Sequence, residues 1–175
     1  MKTKKTIQLS AKSLSQAKEF LNDFLQAYQK GVQNSVKKAT EYAFEKVKQY
    51  CYDNGISEHT GNVKFEYDEI NNVGRVYTND AVLIFNEMGT GIVGSENPHP
   101  NPSKNFKDWK YDKKEHGEKG WKYPKGDGTY GWTKGLPSRH MFYDAFEDII
   151  DEIGNIVDVE LEKTVGDLYD SRWCI

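Results

Sequence analysis

The pattern of this chain predicts an α+β domain: N-terminal helices, a small antiparallel sheet of three or four strands with a long loop extension, and a C-terminal helix packed on the sheet. Three observations predict it. Apolar residues recur at helical spacing before residue 55 and after residue 138, alternate with polar ones between 62 and 77, and give way to Pro, Gly and Lys between 91 and 131. A chain of 175 residues has room for one domain with a real core. The expectation is a single domain over 1–175, divided into an N-terminal arm and helices (1–55), a strand meander (61–90), a long basic aromatic loop (91–131), and a final strand or turn with the C-terminal helix (132–175).

Ile7 to Leu9 alternates too briefly to be more than a short edge strand or an ordered tail. From Ser13 onward Leu14, Ala17, Phe20, Leu21, Phe24, Leu25 and Tyr28 recur at steps of three and four, an amphipathic helix with Ser13 as its cap. Gly31 interrupts the run, and Val32, Val36, Ala39, Ala43, Phe44, Val47 and Tyr50 resume it. An isolated glycine costs only about 1 kcal/mol relative to alanine, so one long helix and two shorter ones both fit. The helix closes at Asp53 to Gly55, with Gly55 left-handed.

In the stretch Asn62 to Ile70, Val63, Phe65 and Tyr67 alternate with Lys64, Glu66 and Asp68, as in a half-buried strand. Asn71 to Gly74 turns the chain into a second strand, Arg75 to Asn79. Ala81 to Phe85 is an unbroken run of β-formers that stops at the glycine-flanked turn Glu87 to Gly91, and reads as a third, well-buried strand of an antiparallel meander.

Gly91 to Gly131 holds Pro98, Pro100, Pro102 and Pro124 together with Trp109, Tyr111, Trp121, Tyr123 and Tyr130. Lysines, among them Lys110, Lys113, Lys114 and Lys122, outnumber the acids there. Loops longer than about 15 residues usually carry function or are ordered by a partner. Lysines among aromatics suit single-stranded nucleic acid, where bases stack on rings and phosphates meet ammonium groups. The same mixture suits a subunit interface anchored by Trp and Tyr, and also a solvated hairpin whose rings pin it to its own domain.

The last helix opens with Ser138 as N-cap and carries a wide apolar face from Met141 to Leu161, with Gly154 as a point for a kink. Its polar positions are acidic, whereas the N-terminal helices are lysine-rich, so a basic face of one copy can meet an acidic face of the next.

Two stretches carry a likeness. "AVLIFNEMGTG", Ala81 to Gly91, followed after a variable segment by "WTKGLPSRHMFYDAF", Trp132 to Phe146, resembles the head–tail connector, neck and tail-completion family of tailed phages typified by the HK-ninety-seven gene-product-ten minor tail component. Glu87, Gly89, Thr90, Gly91, Lys134, Gly135, Pro137, Arg139, Phe142 and Ala145 stand in the places of its pattern. The likeness runs from about Lys37 onward and includes no catalytic motif; "TGNVKFEY" keeps the family's Gly before the sheet but not its Leu or Ser. It implies a virion structural protein, found in the neck or tail and in the host cytoplasm during assembly, that forms a homo-oligomeric ring, a hexamer or dodecamer. Such a ring joins the capsid's connector to tail-terminator or tail-tube proteins. The expected subunit interface is Glu87, Gly89, Thr90, Gly91, Trp109, Tyr111, Trp121, Tyr123 and Arg139, and Lys110, Lys113, Lys114 and Lys122 are the residues that would face genomic DNA. The alternative is a DNA-binding accessory protein that uses the basic aromatic loop.

An enzyme is not expected, and neither is a cofactor or a metal. The four histidines, His59, His99, His116 and His140, lack the spacing of a zinc site, and His99 and His116 read as solvated loop residues. The two cysteines, Cys51 and Cys174, read as free thiols. A net charge of −3 gives no overall signal for nucleic acid, and no apolar run approaches the roughly 18 residues of a membrane span. Glu87 is the one carboxylate singled out, as a structural residue that holds the loop or a neighbouring subunit.

Overall fold

The computed structural model describes residues 10–101, 109–113 and 118–173. It is an α+β chain with two small antiparallel sheets of two strands and a C-terminal helix. In order, helix α1 (Ala11–Asp53) and a 3-10 turn (Ser57–Asn62) lead into strands β1 (Lys64–Asp68) and β2 (Val73–Tyr77). Helices α2 (Ala81–Met88) and α3 (Gly91–Glu96), strands β3 (Trp121–Pro124), β4 (Tyr130–Thr133) and β5 (Gly135–Leu136), and helix α4 (Met141–Trp173) complete it. The expectations for Ile7 to Leu9 and for Cys174 fall outside the described residues.

α1 runs without a break through Gly31, so the sequence holds one long helix and not two. Its cap is Ser10, not Ser13. The Ser13 amide donates to Ser10 Oγ at 3.1 Å while Ser13 Oγ accepts from the Ser10 amide at 2.8 Å, a reciprocal pair that satisfies orphan first-turn donors. The helix ends where expected, with Gly55 at φ +70°.

The largest departure is Ala81 to Met88, which is a helix and not a third strand. Asp80 decides it: Oδ1 accepts from the Val82 amide at 2.7 Å and the Leu83 amide at 3.3 Å, capping the first turn. Leu83, Asn86 and Glu87, at i, i+3 and i+4, are buried on one face. The outward Val82 and Phe85 are apolar as well, which hides the helical period in the sequence. The meander is therefore a two-stranded hairpin, β1 against β2, with Phe65 opposite Val76 and Asn72 at positive φ in the turn.

Gly91 to Gly131 is not a structureless loop either. It holds α3, β3 and the start of β4, and in the β3–β4 hairpin Trp121 faces Thr133, Lys122 faces Trp132 and Pro124 faces Tyr130. Residues 102–108 and 114–117, which include Lys114 and His116, lie outside the described residues.

Two compact units make up the chain, Met1–Lys38 with Ile153–Ile175, and Ala39–Glu152. In the first, α4 comes so close to α1 at Gly31 that a Cβ there would sit 2.6 Å from Thr164 Oγ1 and 2.8 Å from Leu161 Cδ2. α4 passes through Gly154 without a break in its helical assignment. In the second unit Val47, Cys51, Val63, Leu83, Met141 and Ala145 form the core, backed by Phe44, Ile56, Val76 and Phe142. Met141 is fully buried at the first position of α4, which holds that end of the helix against α1 and α2.

Candidate functional site

The two stretches that carry the sequence likeness meet in the folded chain. Thr90 and Leu136, and Gly91 and Gly135, form antiparallel bridges, and the Ile92 amide donates to the Lys134 carbonyl at 3.0 Å. Both glycines are required. Gly91 and Gly135 have φ of +60° and +118°, and a Cβ at Gly135 would lie 1.9 Å from the Thr90 carbonyl oxygen.

Beneath this crossing sits Glu87, near the end of α2. Its Oε2 accepts from the Phe142 amide at 2.8 Å, and its Oε1 accepts from the Tyr143 amide at 3.1 Å and faces His99 Nε2 at 3.0 Å. His99 Nδ1 accepts from the Asn101 amide at 3.1 Å, which leaves Nε2 to carry the proton toward Glu87. The carboxylate thus supplies the N-cap of α4 across the chain, where negative charge also meets the positive end of the helix dipole. Ser138, expected to be that cap, instead donates its hydroxyl to the Glu87 carbonyl. Glu87 is 8% exposed and His99 6%. The reading of His99 as a solvated loop residue is corrected accordingly: it is the buried partner of Glu87. Two spaced prolines conceal this, because nothing local in Pro98–His99–Pro100 marks the ring as inward-facing.

With both oxygens engaged by three donors, Glu87 is built as a clamp between α2, the segment after α3 and α4. Gly89 and Gly91 are buried in the same way, and half-buried Thr90 accepts the Leu136 amide on Oγ1 at 3.1 Å. Half-buried Arg139 donates its guanidinium to the Asn54 carbonyl and its amide to the Asn86 carbonyl at 2.7 Å. Half-buried Trp109 donates Nε1 to the Gly89 carbonyl at 2.9 Å, with its ring centroid 6.0 Å from that of Phe85. Tyr111 and Trp121 are half-buried as well. Of the nine residues expected at a subunit interface, only Tyr123 is exposed, with its ring lying over Gly131. Lys110, Lys113 and Lys122 are exposed, as a DNA-facing or partner-facing role requires.

The surfaces that remain open lie elsewhere, and sequence reading missed most of them. On the β3–β4 hairpin Tyr130 and Trp132 are 70% and 59% exposed. On α4 Phe146 and Ile150, one turn apart, are 58% and 52% exposed. A cleft of about 600 Å³ opens beside Phe146, lined by Tyr77, Ile84, His99, Phe142 and Tyr143. The alternation of Tyr130, Gly131 and Trp132 was the available signal for the hairpin.

Two further groups have shifted acidities. Burial pushes the Asp80 carboxyl up, but hydrogen bonds from His59, the Val82 amide and Asn62 outweigh it and hold the group below the usual carboxylate range. Burial pushes the Cys51 thiol up to about 11, with the nearby Glu87 charge adding to it. Among the described residues no cluster of His, Cys, Asp and Glu could hold a metal, and no helix is long and apolar enough to cross a membrane. Comparison with protein-family models, curated proteins and solved structures finds no match.

Proposed function

We propose that this chain is a structural subunit of a tailed-phage neck, assembling as a ring at the head–tail junction or tail-completion site to join the capsid connector to the tail. The likeness of the Ala81–Gly91 and Trp132–Phe146 stretches to that family supports the place in the virion. The observation that carries an assembly role is on α1. Leu14, Leu21, Leu25 and Tyr28 are 57%, 58%, 55% and 46% exposed. Their spacing of seven, four and three residues puts them on one side of the helix, a stripe of the kind that a partner covers. Ring closure would follow from head-to-tail contacts between unlike surfaces of identical subunits, a hexamer or dodecamer touching connector above and tail-terminator or tail-tube proteins below. The protein would work in the virion neck, reaching it from the host cytoplasm.

Electron microscopy of lysates from a host whose prophage lacks this gene tests the proposal. DNA-filled heads separate from finished or overlong tails are expected; normal joined virions would refute it. A second reading, a DNA-binding accessory protein, rests on the exposed Lys122 beside Trp132 on the β3–β4 hairpin. It requires DNA binding that weakens steeply with salt and is lost when Lys110, Lys113, Lys114 and Lys122 become Glu.

A further inference from the structure

Side chains of facing residues in an antiparallel pair share one side of the sheet, so Lys122, Pro124, Tyr130 and Trp132 form one face of the β3–β4 hairpin. All four are exposed. The hairpin and its approach are basic, with exposed Lys119, Lys122 and Lys125 against Glu118 and Asp127. The first three turns of α4 have the opposite character. Phe146 and Ile150 form an exposed apolar pair, and Glu147 and Asp151, each one residue further on, are exposed beside it. Phe146 and Glu147 also form part of the wall of the 600 Å³ cleft, whose other aliphatic and phenyl lining is Val76, Ile84, Met88 and Phe142. One surface is thus a pair of protruding rings with cations. The other is a recess with an apolar rim and anions. Exposed aromatics and the pockets they fill are the usual anchors of protein contacts, and opposite charges fix their register.

We propose that these two surfaces are the two halves of one heterologous contact between copies of this chain: the hairpin of one copy seats Trp132 and Tyr130 against Phe146 and Ile150 of the next, with Lys122 facing Glu147 and Asp151. The proposal rests on the ring reading above, and it names where that ring closes. Because the surfaces differ, each copy keeps one free after pairing, so the contact propagates until the rotation closes. This contact is separate from the leucine stripe of α1 and does not depend on it.

The test is mixing of two variants of the full chain, followed by sedimentation velocity. The hairpin variant carries Lys122→Glu and Trp132→Ala, and the helix variant carries Phe146→Ala and Glu147→Lys. Each alone is expected to self-associate at least tenfold more weakly than the unmodified protein. Mixed, they are expected to form 1:1 pairs and nothing larger, since one intact hairpin meets one intact helix face. A misfolded variant could not give that pairing. Unmodified protein that assembles while both variants assemble equally well would overturn the contact and leave the ring reading standing. Unmodified protein that stays monomeric at every concentration would overturn the contact, and the lysate experiment then judges the ring reading separately. A hairpin variant that assembles normally but no longer retains single-stranded DNA would overturn it too, assigning the face to nucleic acid.

Discussion

Replacing Glu87 with alanine removes one side chain and strands three donors. The Phe142 and Tyr143 amides lose their acceptor at the start of α4, and His99 Nε2 loses its partner inside a site where both residues are less than a tenth exposed. The two amides are first-turn donors with no partner within the helix. A buried donor left unpaired costs about 1–3 kcal/mol, and with the two amide-bearing residues only half-buried the three together cost roughly 3–5 kcal/mol. For a chain of this size each kcal/mol lowers Tm by about 2–4 °C, so Glu87→Ala should melt about 6–20 °C below the unmodified protein. Glu87→Gln should fall between the two. Its carbonyl oxygen can still accept one amide, but its NH2 group would face a donor, and His99 cannot exchange tautomers without orphaning the Asn101 amide. Thermal unfolding followed by circular dichroism measures all three proteins. A Glu87→Ala variant melting within about 2 °C of the unmodified protein would refute the clamp.

Asp80→Ala removes the α2 cap with its bonds to His59 and Asn62 and should cost about 0.5–2 kcal/mol for the cap, read as a lower denaturant midpoint. Because the folded Asp80 carboxyl lies below its ordinary value, its contribution is complete above that value, about 4, and is lost as the pH falls through the depressed one. The stability gap between Asp80→Ala and the unmodified protein should therefore close in acid. Deleting Asn97 to Lys125 should abolish cooperative unfolding. It removes His99, the Trp109 bond to Gly89 and all of β3. Cys51 is fully buried with its thiol raised to about 11, so the peptide containing it should resist iodoacetamide at pH 8 until denaturant is added, by mass spectrometry of the digest.

The sequence by itself determined the elements whose physics is local. The apolar spacing before residue 53, the alternation from Val63 to Tyr67 and the acidic apolar run after Met141 each carry the period of the element they form, and α1, β1 and α4 follow from it. Gly55 could close α1 for the same reason, since only a left-handed residue ends a helix so abruptly. What the tertiary structure decided is every feature whose cause lies far along the chain. Ala81 to Met88 has β-forming composition, and it is helical because Asp80 caps it while Leu83, Asn86 and Glu87 find cover on a single face. The cap of α4 is 55 residues away at Glu87, so Ser138, the better local candidate, is free to bind the Glu87 carbonyl. His99 is drawn inward by the same carboxylate against the habit of its Pro-flanked segment. Periodicity reports which side of an element is apolar. It carries no information on which distant group will meet an orphan donor, and in this chain those meetings turn the conspicuous "NEMGTG" and "SRHMF" stretches inward and leave Tyr130, Trp132 and Phe146 facing out.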